Sequence, residues 1–457
     1  MLDALVEDLA DPVAAATPAG AALPDSLMAF CAAPHRFLLE LARTRPDARF
    51  RMGEEVFLVL SDPASVHAVL NGSPEDFEKG AVSEIPRTSW RDGIITVEGE
   101  GWTEQHRMFA PVFARRRIRL LAPLIAELVT LQVAAWAALP AAPVDVLAAA
   151  NRLAFDVVAT GLLGVTDRAL ADALFDTLGV LDRTETVRLN YLVKRVAGDD
   201  RGGFGESPHS RALERMDRLT EAVADARLAL SAQPDDLLGA LMATPEFAAF
   251  PPARRRAFLA DQAATLLAAG YVTTGESIFW SLYLLAKHPA AQARARAEVL
   301  AATGAAGGEV PMDAPPFLAA AFNESGRLYP PVWFMGRVAR RDVRVGDIAV
   351  AAGTRVICSP YVLQRMPALW PEADAYRPER FLPGAVPAVV PRSLIPFGGG
   401  MRMCLGRGLA LMEMSAIVGM TLARFEVELV SDAPVVLPAT YSLHPRAPVP
   451  FRLTPRA

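Results

Sequence analysis

The sequence predicts a mainly α-helical protein with a minor β part, folded as a single compact unit. Three observations lead to this prediction. Apolar residues recur at helical spacing through most of the chain, strand signals are confined to short segments nearer its ends, and no repeat or long linker divides it. We therefore predict one domain over residues 1–457, of which about residues 1–23 form an N-terminal extension.

The composition is that of a globular protein with a large core. Of the 457 residues, 52% are hydrophobic and 21% are charged, which excludes a disordered chain. The net charge of -5 argues against nucleic acid as a partner, because phosphate binding needs a concentrated basic face. Residues 1–22 lack the basic start and apolar run of a signal peptide. We expect a cytoplasmic monomer without a membrane anchor.

The first half of the chain predicts a hairpin followed by helices. Residues 49–60 partly alternate in polarity and predict a strand or hairpin. The run Ser61-Asp62-Pro63 supplies a cap and a first-turn proline for a helix that ends at Leu70. Residues 76–98 are irregular. Helical spacing then recurs in segments 102–113, 118–139 and 144–163, and a more polar region that we expect to cover the site spans 167–232.

The second half predicts one long helix, a group of strands and a second long helix. The apolar stretch 263–286 holds Gly, Thr and Glu residues, so we expect a buried helix there rather than a membrane span. The segments are a long helix over 253–287, a helix over 314–328, strands over 335–357, an ordered proline-rich loop over 360–394, a helix over 406–425 and short strands in the tail.

The strongest motif is a glycine-rich loop with a cysteine near its end. Residues 397–406 read Phe-Gly-Gly-Gly-Met-Arg-Met-Cys-Leu-Gly and fit the pattern F-x-x-G-x-R-x-C-x-G. Glycines let the backbone pass close to a flat cofactor. A helix that begins just after Cys404 places a positive dipole end beside its thiolate. We therefore predict that Cys404 ligates a haem iron, with Phe397 packed near the sulfur and Arg402 paired with a haem propionate.

The other cysteines lie in no comparable loop. Three cysteines at wide spacing, at positions 31, 358 and 404, do not predict a disulfide framework. The competing interpretation of Cys404 is a buried free cysteine in a glycine-rich turn. The whole loop favours the ligand, and we expect Gly398 and Gly406 to contact the cofactor as well.

A second motif places a carboxylate and a guanidinium on one helix face. Glu324 and Arg327 are spaced i,i+3. A solvated surface pair is the simpler interpretation. However, the segment Pro-Glu-Arg-Phe at 378–381 can supply a second guanidinium, that of Arg380, to the same carboxylate.

Together these segments resemble the cytochrome P450 family. They occur in the family's order and spacing, and the resemblance extends from about residue 24 to residue 451. It implies the cytochrome P450 fold and a haem b cofactor. It also implies that Glu324, Arg327 and Arg380 form a buried network that holds the Cys404 loop.

The resemblance also implies further haem contacts. Trp102 and His106 match a W-x-x-x-H/R helix whose side chains contact a propionate, and Arg337 stands where the family often has another propionate-binding arginine. Gln364 stands where relatives commonly have histidine, so no role is carried over to it.

A third segment, residues 269–274, resembles the family's A-G-x-D/E-T-T sequence. Gly270 weakens the helix, and the Thr273 hydroxyl can bond back to the Ala269 carbonyl, which opens a groove. The resemblance implies that Gly270, Thr273 and Thr274 serve dioxygen and its protons there. Val272 replaces the usual acid, so the proton route differs from the family's. An ordinary threonine-rich packing helix is the alternative.

The resemblance implies a monooxygenase that inserts one oxygen atom of O2 into an apolar molecule of the terpenoid, fatty acyl or polyketide type. Residues 328–331 and the Trp102 helix are closest to the branch that oxidises fatty acids and terpenes. The expected substrate-pocket residues are Ile94, Ala269, Val272, Trp333, Phe334 and Leu443.

Electrons are expected from NAD(P)H through a separate ferredoxin or flavodoxin-type donor, because no flavin or iron–sulfur domain follows Cys404. Arginines within residues 115–119 could dock an acidic carrier, or could form a solvated charge run. Two other functions remain open. One is a peroxide-using or oxidative-coupling enzyme, which fits Val272, and the other is a haem-binding sensor, which would need an output domain.

Overall fold

A computed structural model describes residues 30, 33–52, 55–79, 91–139, 142–184, 207–304 and 309–456. The predicted N-terminal extension, Cys31 and parts of the segments 76–98 and 167–232 lie outside these residues. Helices dominate the described chain and strands form a minor part. The prediction of a mainly α fold with a minor β part is confirmed.

Helices α1 to α11 occupy the chain up to Gly270. They are α1 (Pro34–Thr44), α2 (Pro63–Leu70), α3 (Gly99–Phe109), α4 (Arg115–Ile118), α5 (Ala122–Ala137), α6 (Val146–Asp156), α7 (Arg168–Arg183), α8 (Pro208–Leu228), α9 (Leu237–Met242), α10 (Pro245–Ala249) and α11 (Pro252–Gly270).

The remaining helices are α12 (Val272–Lys287), α13 (Pro289–Thr303), α14 (Pro316–Leu328), α15 (Pro360–Leu363) and α16 (Arg407–Arg424). Short 3-10 turns occupy Arg119–Leu121, Pro378–Phe381 and Gly400–Arg402, and a π-helical turn follows α6 at Val157–Leu162.

The strands are β1 (Asp47–Met52), β2 (Glu55–Leu60), β3 (Phe77–Glu78), β4 (Val144–Asp145), β5 (Met335–Ala339), β6 (Val343–Val345), β7 (Ile348–Val350), β8 (Arg355–Cys358), β9 (Phe425–Leu429) and β10 (Pro450–Pro455).

The strands form three small sheets. The largest has the order β1-β2-β8-β5-β3, a second has the order β4-β10-β9, and β6 pairs with β7. In the largest sheet β2 and β8 run parallel, with Leu58 opposite Val356, and the other pairs are antiparallel. The predicted hairpin over 49–60 is the β1–β2 pair.

Local signals placed the start of α2 correctly. The Asp62 carboxylate accepts a hydrogen bond from the Ser65 backbone N–H at 2.8 Å, and Pro63 occupies the first turn, where a missing N–H costs nothing.

The predicted long helix over 253–287 is instead two helices. α11 ends at Gly270, Tyr271 has φ -96° and ψ -51°, and α12 begins at Val272. α12 lies at the centre of the molecule, packed against α6, α14 and α16. The break therefore lies in the interior, where it shapes the site.

One segment, Arg115–Ala137, has the length and the mean hydropathy (1.7) of a membrane span, and 22% of its most apolar window is buried. The buried side chains of α5 form one face, which packs on α16 and α6. These side chains are Ile125, Val129, Val133 and Trp136.

Candidate active site

A single cavity of about 480 Å³ extends from the Cys404 loop to the break between α11 and α12. Phe397 and Cys404 line one part of its wall, and Ala269 and Thr273 line another. The two motifs that sequence analysis singled out are therefore brought to the same space.

The Cys404 loop depends on glycine at two positions. Gly398 and Gly400 have φ of +74° and +71°, where residues with a side chain are strained. A Cβ on Gly400 would also lie 2.2 Å from the Leu70 carbonyl oxygen. The Cys404 N–H donates to the Phe397 carbonyl at 3.0 Å and closes the loop. This geometry presents the sulfur to the cavity.

The two described cysteines lie in different surroundings. Cys358 is fully buried in β8, and burial raises the pKa of its thiol to about 12. Burial also raises the pKa of Cys404, but the amides of Gly406 and Arg407 and the charge of Arg407 act in the opposite direction. The Cys404 side chain keeps accessible surface because it faces the cavity. Of the cysteines in the described ranges, Cys404 alone suits a metal-binding thiolate.

Arg402 lies on an aromatic platform beside the cavity. Its Nη2 donates to Glu98 Oε2 at 2.6 Å, and its guanidinium lies 5.0 Å from the centre of the Trp102 ring. The rings of Trp102 and His106 are 4.7 Å apart. Arg402 Nη1 is buried and has no hydrogen-bond partner. An anion in the cavity could satisfy this group.

The cavity wall near Arg402 carries more positive than negative charge. Lys79 and Arg337 also line the cavity, whereas Glu98 is the carboxylate that interacts with them. Burial, with a smaller effect of Arg402, lowers the pKa of Lys79 to about 7. Burial also lowers the pKa of Arg337. This buried excess of cationic groups fits a cofactor with carboxylate side chains, and haem carries two propionates.

Lys79 and Glu98 were missed by sequence analysis because neither belongs to a motif. The Lys79 ammonium donates to the backbone carbonyls of Ile95 at 2.6 Å and Val97 at 2.9 Å, and Glu98 accepts from the Lys79 N–H at 2.7 Å. The two residues are 19 positions apart in the sequence, and tertiary contact brings them together.

The Glu324 network is buried rather than solvated. Arg327 Nε and Nη2 donate to the two Glu324 carboxylate oxygens at 2.7 and 2.8 Å, and both side chains have 0% exposure. Arg380 Nε donates to Glu324 Oε1 at 3.3 Å, and the Arg377 backbone N–H donates to the same oxygen at 2.8 Å. The structure therefore brings Glu324, Arg327 and Arg380 into one buried network.

Gln364 connects this network to the Cys404 loop. Its amide nitrogen donates to the carbonyls of Gly326 and Arg327 at 3.0 and 3.1 Å, and its oxygen accepts from the Ile395 N–H at 2.7 Å. The Ile395 carbonyl accepts from the Gly398 N–H at 3.0 Å. Sequence analysis assigned Gln364 no role, yet an amide can donate and accept at once and so bridges the two segments.

The predicted back-bond of Thr273 is present. Its hydroxyl donates to the Ala269 carbonyl at 2.9 Å, across the break between the two helices. Gly270, Val272 and Thr274 also line the cavity. The groove is therefore formed by small side chains and a hydroxyl, without an acid at position 272.

Four of the six expected pocket residues line the cavity, namely Ile94, Ala269, Val272 and Phe334. The other two predictions need correction. Trp333 and Leu443 are 1% exposed and belong to the core cluster beneath β1 and β2. Their neighbours Phe334 and Ser442 line the cavity, whereas the Trp333 and Leu443 side chains pack into the core.

The comparisons with known proteins agree with this geometry. A family model described as Cytochrome P450 matches residues 30–448. The chain is 28% identical over 433 residues to cyclooctatin synthase of Streptomyces melanosporofaciens, with 88% of each chain covered. It is 27% identical to the carotene epsilon-monooxygenase of Arabidopsis thaliana, covering 87% of this chain and 78% of the relative. A six-coordinated cytochrome P450 from Thermus thermophilus superposes with a TM-score of 0.67 at 25% identity, covering 92% of this chain and 98% of the other.

Proposed function

The chain belongs to the cytochrome P450 family and is a haem-thiolate monooxygenase, and from this premise we propose that it oxidises an apolar substrate of the terpenoid type. The single observation that carries the proposal is the shared cavity, which places the Cys404 thiol and the Thr273 groove on the walls of one mostly apolar space.

The residues that would hold the haem follow from the cavity wall. Cys404 would ligate the iron, and Arg402, Arg337 and His106 would bind the propionates with Lys79 beside them. When bound, haem with a thiolate ligand supplies the activation of dioxygen and the transfer of one oxygen atom. The protein would contribute the positioned Cys404 thiolate, cationic side chains near the propionates and a mostly apolar cavity wall.

The helix break supplies the other half of the chemistry. The Thr273 hydroxyl is held by the Ala269 carbonyl, so its oxygen can accept a hydrogen bond from a water in the groove. Thr274 and Gly270 border the same groove. We propose that Thr273 holds the last proton donor before the oxygen site, while Val272 keeps its own side of the groove apolar.

The substrate class rests on the cavity wall and on the named relatives. Ile94, Phe113, Leu181 and Phe334 contribute apolar side chains to the wall. The relatives named above act, by their names, in cyclooctatin synthesis and on carotene. Both support a bulky, largely hydrocarbon substrate, and we propose a terpenoid before a fatty acyl chain or a polyketide.

We propose a separate electron donor of the ferredoxin or flavodoxin type, ultimately reduced by NAD(P)H. Arg115 and Arg116 on α4 are exposed, and Ile118 of the same helix would lie 3.2 Å from a Cβ on Gly408 at the start of α16. The basic segment is thus near the helix that follows Cys404. We propose a cytoplasmic monomer as the working form.

A second candidate function is favoured by one observation. Val272 supplies no acid to the groove, and an enzyme that accepts hydrogen peroxide, or one that couples two substrate radicals, would need less proton delivery.

The proposed function is tested by titrating the ferric holoprotein with terpenoids, fatty acids and polyketide-like lactones. Displacement of an iron-bound water should shift the Soret band from low spin to high spin, and terpenoids should do so at the lowest concentrations. Each binder is then incubated with NAD(P)H and electron carriers, or with peroxide alone. Oxygenated product with carriers supports the proposal. Faster product formation with peroxide alone would replace it with the peroxide-using alternative.

A further inference from the structure

A second polar cluster lies one helical turn past Thr273, where α12 meets the C-terminal segment. Glu276 is 1% exposed, and its Oε1 accepts a hydrogen bond from Ser442 Oγ at 2.7 Å. His444 Nδ1 lies 3.4 Å from the same oxygen, and its side chain is 29% exposed. Glu276 Oε2 is buried and has no hydrogen-bond partner. The cluster joins a partly exposed imidazole to a buried carboxyl.

The cluster also reaches the cavity. Ser442 lines the same cavity as Thr273 and Ser277. The three side chains His444, Glu276 and Ser442 therefore form a continuous polar path from the protein surface to the cavity wall.

A purely structural role accounts poorly for this carboxyl. The segment 440–444 is already fixed by other bonds, since the Leu443 N–H donates to the Pro331 carbonyl at 3.1 Å and Trp280 Nε1 donates to the Leu443 carbonyl at 2.7 Å. Burying an acid costs free energy, and burial raises the pKa of Glu276 although His444 and Ser442 act against it. A glutamine would anchor Ser442 equally well, so the ionisable group needs another explanation.

We propose that Glu276 is a proton-relay residue that receives protons from solvent through His444 and passes them through the Ser442 hydroxyl into the cavity. The inference rests on the proposed oxygenase function. It assigns to Glu276 the task that Val272 cannot perform, because valine has no proton to give.

The relay conserves protons at each step. Glu276 rests protonated, and the Ser442 hydroxyl accepts its proton while releasing its own to a water in the cavity. The His444 imidazolium then returns a proton from Nδ1 to the Glu276 carboxylate, and the neutral ring recovers a proton from water. One proton leaves the solvent and one enters the cavity, and each relay group returns to its starting form. Of the ionisable side chains that the structure describes, His444 is the one in contact with Glu276.

The first test needs no turnover. Infrared spectra of the ferric holoprotein, recorded after transfer from H2O to D2O, follow the carbonyl stretch of buried protonated carboxyls. Glu276→Gln should remove one band. Glu413, fully buried on α16 with a pKa raised by burial, should keep its own band as an internal reference. His444→Phe should slow H/D exchange of the Glu276 band severalfold and leave the Glu413 band unchanged.

Two infrared results would overturn the relay. One is the absence of any band that Glu276→Gln removes, which would mean that the carboxyl rests ionised. The other is an exchange rate at Glu276 that His444→Phe does not alter, which would mean that protons reach the carboxyl by another path.

The second test measures coupling, which is the product formed per NAD(P)H consumed, with hydrogen peroxide assayed in parallel. Glu276→Gln keeps an acceptor for Ser442 but cannot carry a proton, so coupling should fall severalfold, with substrate-induced spectral shifts unchanged. Ser442→Ala should lose coupling similarly, and Glu276→Asp should restore part of it. Glu276→Gln should also flatten the pH profile of coupling. Full coupling in Glu276→Gln would overturn the relay.

Ser281→Ala is the matched control. Ser281 is a buried serine on the same helix, and its hydroxyl donates to the Ser277 carbonyl at 2.7 Å within the helix. Its coupling should equal that of the wild type. If the wild-type protein forms no product with any carrier, the proposed function fails, and the infrared exchange still decides whether the proton path exists.

Discussion

Single residues were predictable where chemistry restricts their type, and were missed where only the fold sets their direction. A haem-binding loop needs a cysteine, an arginine and glycines at fixed spacing, so Cys404 and Arg402 could be found from the sequence. Trp333 could not be placed correctly, because the tertiary packing that turns its side chain into the core beside Phe334 leaves no mark in a motif. Lys79 lay in no motif, and its place in the cavity wall follows from its contacts with the backbone carbonyls of Ile95 and Val97, which are distant in the sequence.

The first prediction concerns the ligand. In the reduced protein with carbon monoxide we expect the red-shifted Soret band of a thiolate-ligated haem, and Cys404→Ser should abolish it. Cys358→Ser is the matched control and should keep the band, because the Cys358 thiol is fully buried with a pKa raised to about 12. The measurement is the difference spectrum of each variant. An unchanged band in Cys404→Ser would contradict the ligand assignment.

The second prediction concerns pH and Asp261. Burial raises the pKa of this α11 carboxyl from 3.8 to about 6, although Arg91 at 3.8 Å acts against the shift. Above pH 6 the folded protein must keep a poorly solvated charge. Between about pH 6 and pH 4 the folded state takes up a proton before the unfolded chain does, so this destabilisation is lost as the pH falls.

Asp261→Asn should therefore raise the free energy of unfolding at pH 7 by roughly 1–3 kcal/mol. Arg91 would still be paired with Asp217 at 2.9 Å and Glu221 at 3.3 Å. Thermal unfolding of both proteins across this pH range provides the measurement, and the difference should vanish near pH 4. A control is Asp225→Asn, because Asp225 is exposed and its pKa is lowered by Arg256; this variant should not gain stability. A gain for Asp261→Asn that persists at pH 4 would point to a cause other than titration.

At the scale of elements, the sequence predicted most helices and a groove at Gly270 and Thr273, but not the full break between α11 and α12 or the π-helical turn after α6. Caps and prolines are local signals, and they placed the start of α2 and the ends of α14 to within a few residues. The break at Tyr271 and the π-helical turn at Val157–Leu162 follow instead from packing in the interior. A Cβ on Gly270 would lie 2.7 Å from a Val158 methyl, so the two irregular segments meet at this glycine. Periodicity within one segment carries no information on such a contact.

The third prediction concerns how α14 supports the Cys404 loop. Glu324→Ala leaves the guanidinium groups of Arg327 and Arg380 without their buried carboxylate, which should cost roughly 3–5 kcal/mol of unfolding free energy. The loop would lose its support, so the variant should also retain less haem. Haem content and the thermal midpoint are the measurements.

The matched control for this prediction is Glu40→Ala on α1. Glu40 and Arg43 form an ion pair at 2.7 Å with the same i,i+3 spacing, but the Glu40 side chain is 68% exposed. Its loss should change stability little, because water solvates both charges. Equal effects of the two substitutions would mean that burial of the Glu324 network does not matter.

At the scale of the whole molecule, the net charge of the chain and its local basic segment act in opposite directions on an acidic electron carrier. The net charge is -5, which repels such a carrier at long range. The arginines near α4 attract it, but Arg117 pairs with Asp235 at 2.8 Å and Arg119 pairs with Asp313. The structure thus neutralises part of the charge run that sequence analysis considered for docking. Arg116 is exposed and has no ion pair among the described residues.

The fourth prediction decides which effect dominates. If docking uses the α4 face, Arg116→Glu should slow reduction of the haem by an acidic ferredoxin severalfold at low ionic strength. The control is Arg211→Glu. Arg211 is exposed on α8, a helix that packs on α7 and α11, and its substitution should change the rate of haem reduction little. The rate of the wild type should fall as salt is added, since attraction is screened beyond a Debye length of about 10 Å at 0.1 M. A wild-type rate that rises with salt would show that net repulsion governs the encounter, and equal effects at Arg116 and Arg211 would place the docking surface elsewhere.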